Sequence, residues 1–340
     1  MQRAIAQLLD RHDLTREEAR RVMDTIMSGD ATAAQIGAFL AALRLKGETA
    51  DEIAGCAEAM RAHVLAVHPT RTDLVDVVGT GGDGANTFNI STTSAIVAAA
   101  AGAAVAKHGN RAASSASGSA DVLEALGFRL ELPPERIARS IDELGFGFMF
   151  AQAHHPAMKH AAPVRRELGT RTVFNVLGPL TNPAGARAGI FGVATSGLMR
   201  TYAEALVKLG TRRAYVVHGF GGIDELSPAG PNEVCEVIEG EIHARVIDPL
   251  ELGLEPCAPE SLTGGSPADN AATARAILGG EETGGKLQAV LLNAGGAIAA
   301  AGHAEDLREG IAVARDAVAS GAAAERLDQL IAFSQEAVSS

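Results

Sequence analysis

The 340-residue sequence has few cysteines and no long apolar run. Cys56, Cys235 and Cys257 lie far apart without a C-x-x-C spacing, which excludes a disulfide framework and a thiolate metal site. We interpret all three as buried small apolar residues. No apolar stretch approaches the roughly 20 residues that span a bilayer, and residues 1–10 lack the charged-then-apolar pattern of a leader. We therefore expect a cytoplasmic protein.

Positive charge is also scarce, because 29 Lys and Arg stand against 41 Asp and Glu and give a formal net charge of −12. Binding to a nucleic-acid backbone or an anionic membrane requires concentrated positive charge, so neither is expected as a general property. An anionic ligand must instead be met by a local basic cluster. With 47% hydrophobic and 21% charged residues, the chain can bury the core of one large domain and a smaller one.

The first 68 or so residues are predicted to be wholly helical. Two segments begin with capping boxes, one from Thr15 to Glu18 and one from Thr49 to Glu52, in which a hydroxyl and a carboxylate each satisfy a free backbone N–H. Apolar residues then recur at helical spacing and give each helix one apolar face. These residues are Ile36, Phe39, Leu40 and Leu43, and then Ile53, Ala57, Met60 and Val64.

From Thr72 onward, short β-rich runs alternate with Ala-rich helices, a pattern typical of an α/β domain with a largely parallel sheet. The strand-like runs are 74–78, 103–106, 189–193 and 214–217, and helices are expected at 93–101, 120–126, 199–208 and within 269–337. We predict an α/β protein: a small all-helical N-terminal domain over 1–70, joined by about 163–185, and a large α/β domain over 71–340. Its central, largely parallel sheet is flanked by helices.

The segment 79–84, G-T-G-G-D-G, satisfies the dinucleotide pattern G-x-G-x-x-G after a strand. The match is weak, since a polar loop continues to Asn89 and the strand 103–106 ends in Lys107 and His108, where an acidic residue should bind the ribose. A near-match to a phosphate-binding P-loop, from Gly280 to Lys286, has an apolar residue where a magnesium-binding hydroxyl is required. Composition and spacing alone leave dinucleotide binding open, but Lys107 and His108 argue against it.

Two small-residue segments, 79–92 and 107–119, each follow a strand and lead into a helix. Exposed N–H groups at a helix N-terminus, together with hydroxyls, form a phosphate or pyrophosphate cradle. Loops at the carboxyl ends of neighbouring parallel strands face one crevice, so we expect the two segments to form a single site. Lys107 and Arg111 supply its positive charge.

A third segment, 218–225, follows the strand 214–217 and ends in Asp224 and Glu225. Adjacent carboxylates are suitable ligands for Mg²⁺, which often binds one or two carboxylates plus substrate phosphates. The Arg-rich stretch 163–172 carries guanidinium groups that match a carboxylate bidentately, although an exposed arginine face needs no function. The histidines at 154, 155 and 160 lack metal-helix spacing, and we favour a structural role for them.

Four motifs in order closely resemble those of the anthranilate phosphoribosyltransferase family, within the nucleoside phosphorylase and phosphoribosyltransferase fold. They are G-T-G-G-D-G-A-N-T-F-N-I-S-T at 79–92, K-H-G-N-R-A-A-S-S at 107–115 with S-G-S-A-D-V-L-E-A-L-G at 117–127, P-V-R-R-E-L-G-T-R-T-V-F-N-V-L-G-P-L-T-N-P at 163–183 and V-H-G-F-G-G-I-D-E-L at 217–226. The similarity spans essentially the whole chain. Ala116 departs from it, since a basic residue is expected there in many members.

The resemblance implies a Mg²⁺-dependent transfer of the phosphoribosyl group of phosphoribosyl pyrophosphate to anthranilate in tryptophan biosynthesis, carried out by a homodimer that contacts through its helical domains. It implies two magnesium ions at Ser91, Asp224 and Glu225, and anthranilate at Gly79, His108, Asn110 and Arg165. The implied phosphoribosyl pyrophosphate site comprises Gly79, Gly82, Asp83, Thr87, Asn89, Ile90, Ser91, Thr92, Lys107, His108, Gly109, Asn110, Arg111, Ala112, Ala113, Ser114, Ser115 and Ser119.

The reaction so implied needs no side chain as acid or base, because the aromatic amine is neutral at pH 7. Positioning and charge stabilisation by Lys107, Asp224 and Glu225 dominate it. A pyrimidine nucleoside phosphorylase is the nearest enzymatic alternative, but it would not need the acidic pair. A non-catalytic nucleic-acid-binding relative would need a basic surface, which the net charge of −12 opposes.

Overall fold

The computed structural model describes residues 1–112 and 116–336. Three predicted phosphate contacts, Ala113, Ser114 and Ser115, lie outside the described residues. Within them, no helix combines the length and the apolar character needed to cross a membrane.

The chain begins with four helices, as the sequence predicts: α1 Gln2–Leu9, α2 Arg16–Met27, α3 Ala33–Lys46 and α4 Ala50–Ala62. Both predicted capping boxes are present, since the Thr15 and Thr49 hydroxyls accept from the N–H groups of Glu18 and Glu52, whose carboxylates accept in return. The predicted apolar face of α3 is buried. A capped end and one buried face explain why each segment is a helix.

Residues 161–180 pack into the same apolar core as these four helices. They contain α9, Ala162–Leu168, and α10, Phe174–Leu177, and contribute Val164, Phe174 and Leu177 to the core. Strand residues such as Phe191 and Val216 belong to this core as well. The helical part therefore packs continuously against the sheet, and the Arg-rich stretch lies where the two parts meet.

The predicted fold class is confirmed by a seven-stranded sheet in the order β3-β2-β1-β4-β5-β6-β7. The first five strands in chain order are parallel to one another, and the last two form a hairpin at one edge in which β6 is antiparallel to both β5 and β7. The strands are β1 Leu74–Gly79, β2 Ala104–Gly109, β3 Phe146–Phe150, β4 Ala188–Gly192, β5 Arg213–His218, β6 Asn232–Ile238 and β7 Glu241–Ile247.

Within the described residues, nine further α-helices complete the fold. The long helix at 285–301 is almost wholly buried and contacts both β4 and the helix at 90–100. Glycine is required at Gly310, where a Cβ would lie 2.2 Å from the carbonyl oxygen of Gly295, so two helices cross with their backbones in contact. The helices are α5 Ile90–Ala100, α6 Ser119–Leu126, α7 Pro134–Leu144, α8 Ala151–His154, α11 Met199–Lys208, α12 Pro267–Leu278, α13 Gly285–Ala301, α14 Leu307–Ala319 and α15 Ala322–Gln335.

The structure corrects the sequence analysis at three points. Strand β2 continues through Lys107 and His108 to Gly109, so these residues lie in a strand and not in the loop that follows it. Lysine is rarely found inside a buried strand, but the Lys107 ammonium has carbonyl and carboxylate partners in the interior, which are described below. The sequence analysis also missed β3 and the β6–β7 hairpin. Finally, Cys56 and Cys235 are buried as expected, whereas Cys257 is only half-buried; all three thiols are free.

Candidate functional site

A glycine-rich turn follows β1 at the carboxyl edge of the sheet. Gly81, Gly82, Gly84 and Asn86 all have positive φ angles, between 50° and 76°. Side chains rarely tolerate this region, so the run of glycines explains how the chain reverses here before α5. The turn is exposed at its tip and leaves the strand end open to ligands.

The acidic pair after β5 folds onto this turn. The Gly81 N–H donates to Oδ2 of Asp224 at 2.6 Å, and the Ser91 N–H donates to Oε1 of Glu225 at 3.0 Å. The Thr87 hydroxyl donates to the second oxygen of Glu225 at 3.3 Å. The first turn of α5 therefore directs its positive dipole end at a carboxylate.

Partial burial and mutual repulsion raise the pKa values of both carboxyls. Desolvation raises the pKa of Asp224, and the nearby charge of Asp83 raises this pKa further. Desolvation likewise raises the pKa of Glu225, with repulsion from Asp224 as the next cause. Asp83 is close enough for its Oδ2 to accept from the Asp224 N–H at 3.3 Å. A cation among these three acids would relieve their repulsion.

The donor set of this acidic site fits a magnesium ion that a ligand helps to bind. Within residues 1–112 and 116–336, no three His, Cys, Asp or Glu side chains form a ready-made metal cluster. Mg²⁺ often takes only one or two protein carboxylates and completes its shell with water and phosphate oxygens. Ser91, Asp224 and Glu225, the predicted ligands, therefore offer the right chemistry for Mg²⁺ bound together with a phosphorylated molecule.

Lys107 is the cation of the site and is completely buried in β2. Its ammonium donates to the carbonyl oxygen of Val77 at 2.6 Å and lies 3.4 Å from the Ser91 hydroxyl. Burial lowers the pKa of Lys107, whereas the charges of Asp76 and Glu225 act in the opposite direction. The ammonium therefore lies beside the acidic pair, at the edge where the first turn begins.

Asp76 supports this arrangement from inside β1, and the sequence analysis missed it. Its Oδ1 accepts from the N–H groups of Val77 and His108, and its Oδ2 accepts from the Asn182 amide at 2.7 Å. Burial raises the pKa of Asp76 to about 6, while Lys107 opposes this shift. An acidic residue within the apolar run 74–78 was the available signal, since a buried charge requires a partner.

Two histidines, one of them next to Lys107 in β2, have their rings in tilted contact. The rings of His108 and His155 are 5.0 Å apart, and Nδ1 of His108 lies 3.1 Å from the carbonyl oxygen of Gly178. Burial lowers the pKa of His108 to about 3 and that of His155 to about 4, so both are neutral near pH 7. Since Nδ1 of His108 donates to a carbonyl, its Nε2 carries a lone pair. Among the described residues, Nε2 of neither histidine has a partner.

The predicted arginines differ in their availability. Arg165 of α9 is half-buried with its guanidinium 5.1 Å from the centre of the Phe174 ring, and desolvation lowers its pKa. The guanidinium of Arg165 has no hydrogen bond or ion pair within the described parts of the chain, and none joins it to His108 or Asn110. Arg111, in contrast, pairs with Asp121 and Glu124. Of the two cations predicted for the phosphate crevice, only Lys107 lies beside the acidic pair.

The remaining predicted contacts surround this centre. The Asn89 amide donates to the carbonyl oxygen of Ser117 at 3.1 Å and thereby ties the first segment to the second. Ile90 has its side chain in the apolar core, so only its backbone is available to a ligand. The Thr92 hydroxyl is buried without a partner among the described residues. Gly79, Gly109, Asn110, Ala112 and Ser119 lie at the ends of β1, β2 and the start of α6.

Comparison with known proteins identifies relatives of the whole chain. The helical bundle domain of a glycosyl transferase family matches residues 2–64, and the α/β domain of the same family matches residues 71–324. The anthranilate phosphoribosyltransferase of Chloroflexus aurantiacus is 54% identical over 336 residues, which cover 98% of each chain.

Solved structures agree with these sequence matches. A crystal structure of anthranilate phosphoribosyltransferase from Thermus thermophilus has a TM-score of 0.93 and 51% identity, covering 98% of this chain and 99% of that one. The Saccharomyces cerevisiae protein in complex with PRPP and Mg has a TM-score of 0.89 and 29% identity, covering 98% and 97%. It has also been solved with 4-fluoroanthranilate.

The neutral histidine pair predicts a specific dependence of stability on pH. The folded pKa of His155, about 4, lies below the unfolded value of about 6.5. Its contribution to stability is complete above pH 6.5 and is lost as the pH falls toward 4. Between pH 7 and pH 5, the wild type should therefore lose about 2 kcal/mol more of its free energy of unfolding than His155→Asn.

Urea unfolding at the two pH values measures this difference. His12→Asn, at an exposed histidine, serves as the control and should follow the wild type. Equal pH dependence of the wild type and His155→Asn would show that His155 is not held neutral by burial.

Proposed function

The chain belongs to the anthranilate phosphoribosyltransferase family of glycosyl transferases, and we infer from this membership that its site carries out the family's reaction. It transfers the 5-phosphoribosyl group of phosphoribosyl pyrophosphate to the amine of anthranilate and releases pyrophosphate. This pentosyl transfer is the second step of tryptophan biosynthesis from chorismate. The observation that carries the inference is the half-buried acidic pair Asp224 and Glu225, joined by hydrogen bonds to both ends of a glycine-rich phosphate loop.

The first substrate is held at the carboxyl edge of the sheet. The backbone of the turn 79–84 and the first turn of α5 offer N–H groups to the pyrophosphate. Magnesium, when bound at Ser91, Asp224 and Glu225, neutralises the charge of the departing pyrophosphate. Lys107 adds a positive charge that is already desolvated and therefore needs no reorganisation during the reaction. We propose that two magnesium ions bind at this site.

The second substrate is recognised through its carboxylate and its amine. Arg165 offers a half-buried guanidinium that none of the described acids pairs with, so a carboxylate of the ligand can accept from two of its N–H groups. His108 belongs to the proposed anthranilate site, although its Nε2 is buried in the structure. Since the amine is neutral at pH 7, the protein needs to orient it and not to deprotonate it beforehand. Gly79 and Asn110 complete the proposed anthranilate site.

The competing functions fit the site less well. A pyrimidine nucleoside phosphorylase would leave the three acids Asp83, Asp224 and Glu225 without a cation to bind. A nucleic-acid-binding protein would need a basic surface, whereas the chain carries a net charge of −12. Phosphoribosyl transfer uses these three acids together with Lys107 and with Arg165, whose guanidinium pairs with none of the described acids.

We also propose a homodimer formed through the helical domain, and a cytoplasmic location stays a prediction. Two leucines support the dimer, because Leu9 of α1 and Leu45 of α3 are exposed by 66% and 74% on the helical part of the chain. Exposed large apolar side chains on one domain are common where a partner subunit packs.

Anthranilate fluorescence tests the proposed reaction directly. The emission of anthranilate should fall when the enzyme, phosphoribosyl pyrophosphate and Mg²⁺ are all present, because the amine becomes glycosylated. Omission of any one component serves as the control and should preserve the signal. Constant emission at high enzyme concentration with all components present would disprove the function.

Steady-state kinetics should separate the roles of Arg165 and Asp224. Arg165→Ala should raise KM for anthranilate about 10- to 100-fold, since a charge-assisted hydrogen bond contributes about 1.5–3 kcal/mol. Asp224→Ala should mainly lower the magnesium-dependent kcat, by about 100-fold or more. Arg166→Ala, at the exposed neighbour on α9, should leave both constants unchanged. The reverse pattern, with Asp224→Ala acting on anthranilate binding alone, would refute these assignments.

A further inference from the structure

Arg171 connects the helical part of the chain to the glycine-rich turn. It lies between α9 and α10, and its backbone carbonyl accepts a hydrogen bond from Arg44 of α3. Its own side chain extends to the other part of the molecule. There, Nη1 donates to the carbonyl oxygens of Gly81 at 3.0 Å and of Gly82 at 3.3 Å.

These two contacts fix the direction of the next two N–H groups. A peptide unit is planar and trans, so its C=O and its N–H point in opposite directions. The carbonyl of Gly81 shares a peptide with the N–H of Gly82, and the carbonyl of Gly82 shares one with the N–H of Asp83. Because Arg171 holds both carbonyls, both N–H groups point away from it.

The two N–H groups are free to bind a ligand. Neither the Gly82 nor the Asp83 N–H has a hydrogen-bond partner in the described chain, whereas the Gly81 N–H donates to the carboxylate of Asp224. Successive N–H groups in a turn with left-handed residues form a concave site for anions. Gly81 and Gly82 have φ angles of 68° and 76°.

The close approach of Arg171 also explains why residue 82 is glycine. A Cβ at this position would lie 1.8 Å from Nη1 of Arg171, in addition to the strain of a positive φ. A side chain at 82 would therefore displace the guanidinium from the carbonyls. Gly81 and Gly84, in contrast, have open space where a Cβ would lie.

We propose that Arg171 is a positioning residue that holds the peptides 81–82 and 82–83 so that the N–H groups of Gly82 and Asp83 bind the pyrophosphate of the substrate. Arg171 acts through the backbone and does not touch the substrate. The proposal rests on the proposed function and deepens it, since it gives the phosphate loop a support from the domain that also carries Arg165. Two other roles are distinguishable: general electrostatic attraction, and packing alone.

Isothermal titration with Mg²⁺ and inorganic pyrophosphate tests this role, together with the KM values of both substrates. Arg171→Ala and Arg171→Lys should each weaken pyrophosphate binding and raise KM for phosphoribosyl pyrophosphate about 10-fold or more, since two backbone contacts are lost. Lysine retains the charge, but its ammonium lies one bond closer to the backbone than Nη1 of arginine and so cannot reach both carbonyls from this position. KM for anthranilate and the thermal midpoint should stay close to wild type. Arg212→Ala, an exposed arginine before β5, is the matched control.

Each alternative role has its own outcome. If Arg171→Lys keeps the wild-type affinity for pyrophosphate and Arg171→Ala loses it, only the charge of residue 171 matters. If both variants keep the wild-type affinity, the contact does not contribute to binding. Either result overturns the proposal. A large fall in the thermal midpoint with loss of both substrates would assign Arg171 to packing and overturn it too. If the wild type itself forms no product, the proposed function has failed instead.

A double-mutant cycle with Gly82→Ala gives a second, independent test. The added methyl group should weaken pyrophosphate binding partly by displacing Arg171, so the effect of Gly82→Ala should be smaller in Arg171→Ala than in the wild type. Additive effects of the two substitutions would contradict the proposed link between Arg171 and the loop.

Discussion

The burial of opposite charges at the carboxyl edge of the sheet is the constraint on which the site depends. Lys107 is fully buried, and its charge interacts with Asp76 below it and with Glu225 beside it. Burial raises the pKa values of Asp76 and Glu225 and lowers that of Lys107. The charged form of each group is therefore stabilised by the opposite charge beside it. The negative charge of the acids is larger than the single positive charge of Lys107. A divalent cation can neutralise this excess of negative charge.

The surrounding fold holds these charges in place by close backbone contact. A Cβ at Gly192 of β4 would lie 1.6 Å from the carbonyl oxygen of Asp224, and one at Gly79 would lie 2.2 Å from its carboxylate. Small residues at the strand ends therefore let the acidic loop lie directly on the sheet. The helical part contributes from the opposite side, where Arg165 is available to a carboxylate and Arg171 reaches the phosphate loop.

Local patterns in the sequence predicted much of this arrangement, and long-range partners escaped them. Capping boxes, alternating strands and helices, glycine runs and the adjacent acids 224 and 225 are visible within short segments, and the fold class followed from them. Asp76 and Asn182 are 106 positions apart, and Arg171 lies 90 positions from Gly81, so no local pattern reveals either contact. The apolar run 103–106 predicts a strand that ends before Lys107, yet the carbonyl and carboxylate partners of Lys107 keep it inside β2.

The central claim is that the half-buried Asp224 and Glu225 bind a divalent cation together with a pyrophosphate. Differential scanning calorimetry at pH 8 tests it most directly, by comparing the wild type with the double variant Asp224→Asn and Glu225→Gln. Without ligands, the variant should be about as stable as the wild type, because it loses both the repulsion between two half-buried acids and the attraction between Glu225 and Lys107. Mg²⁺ and pyrophosphate together should raise the thermal midpoint of the wild type alone. An equal rise in both proteins would contradict the claim.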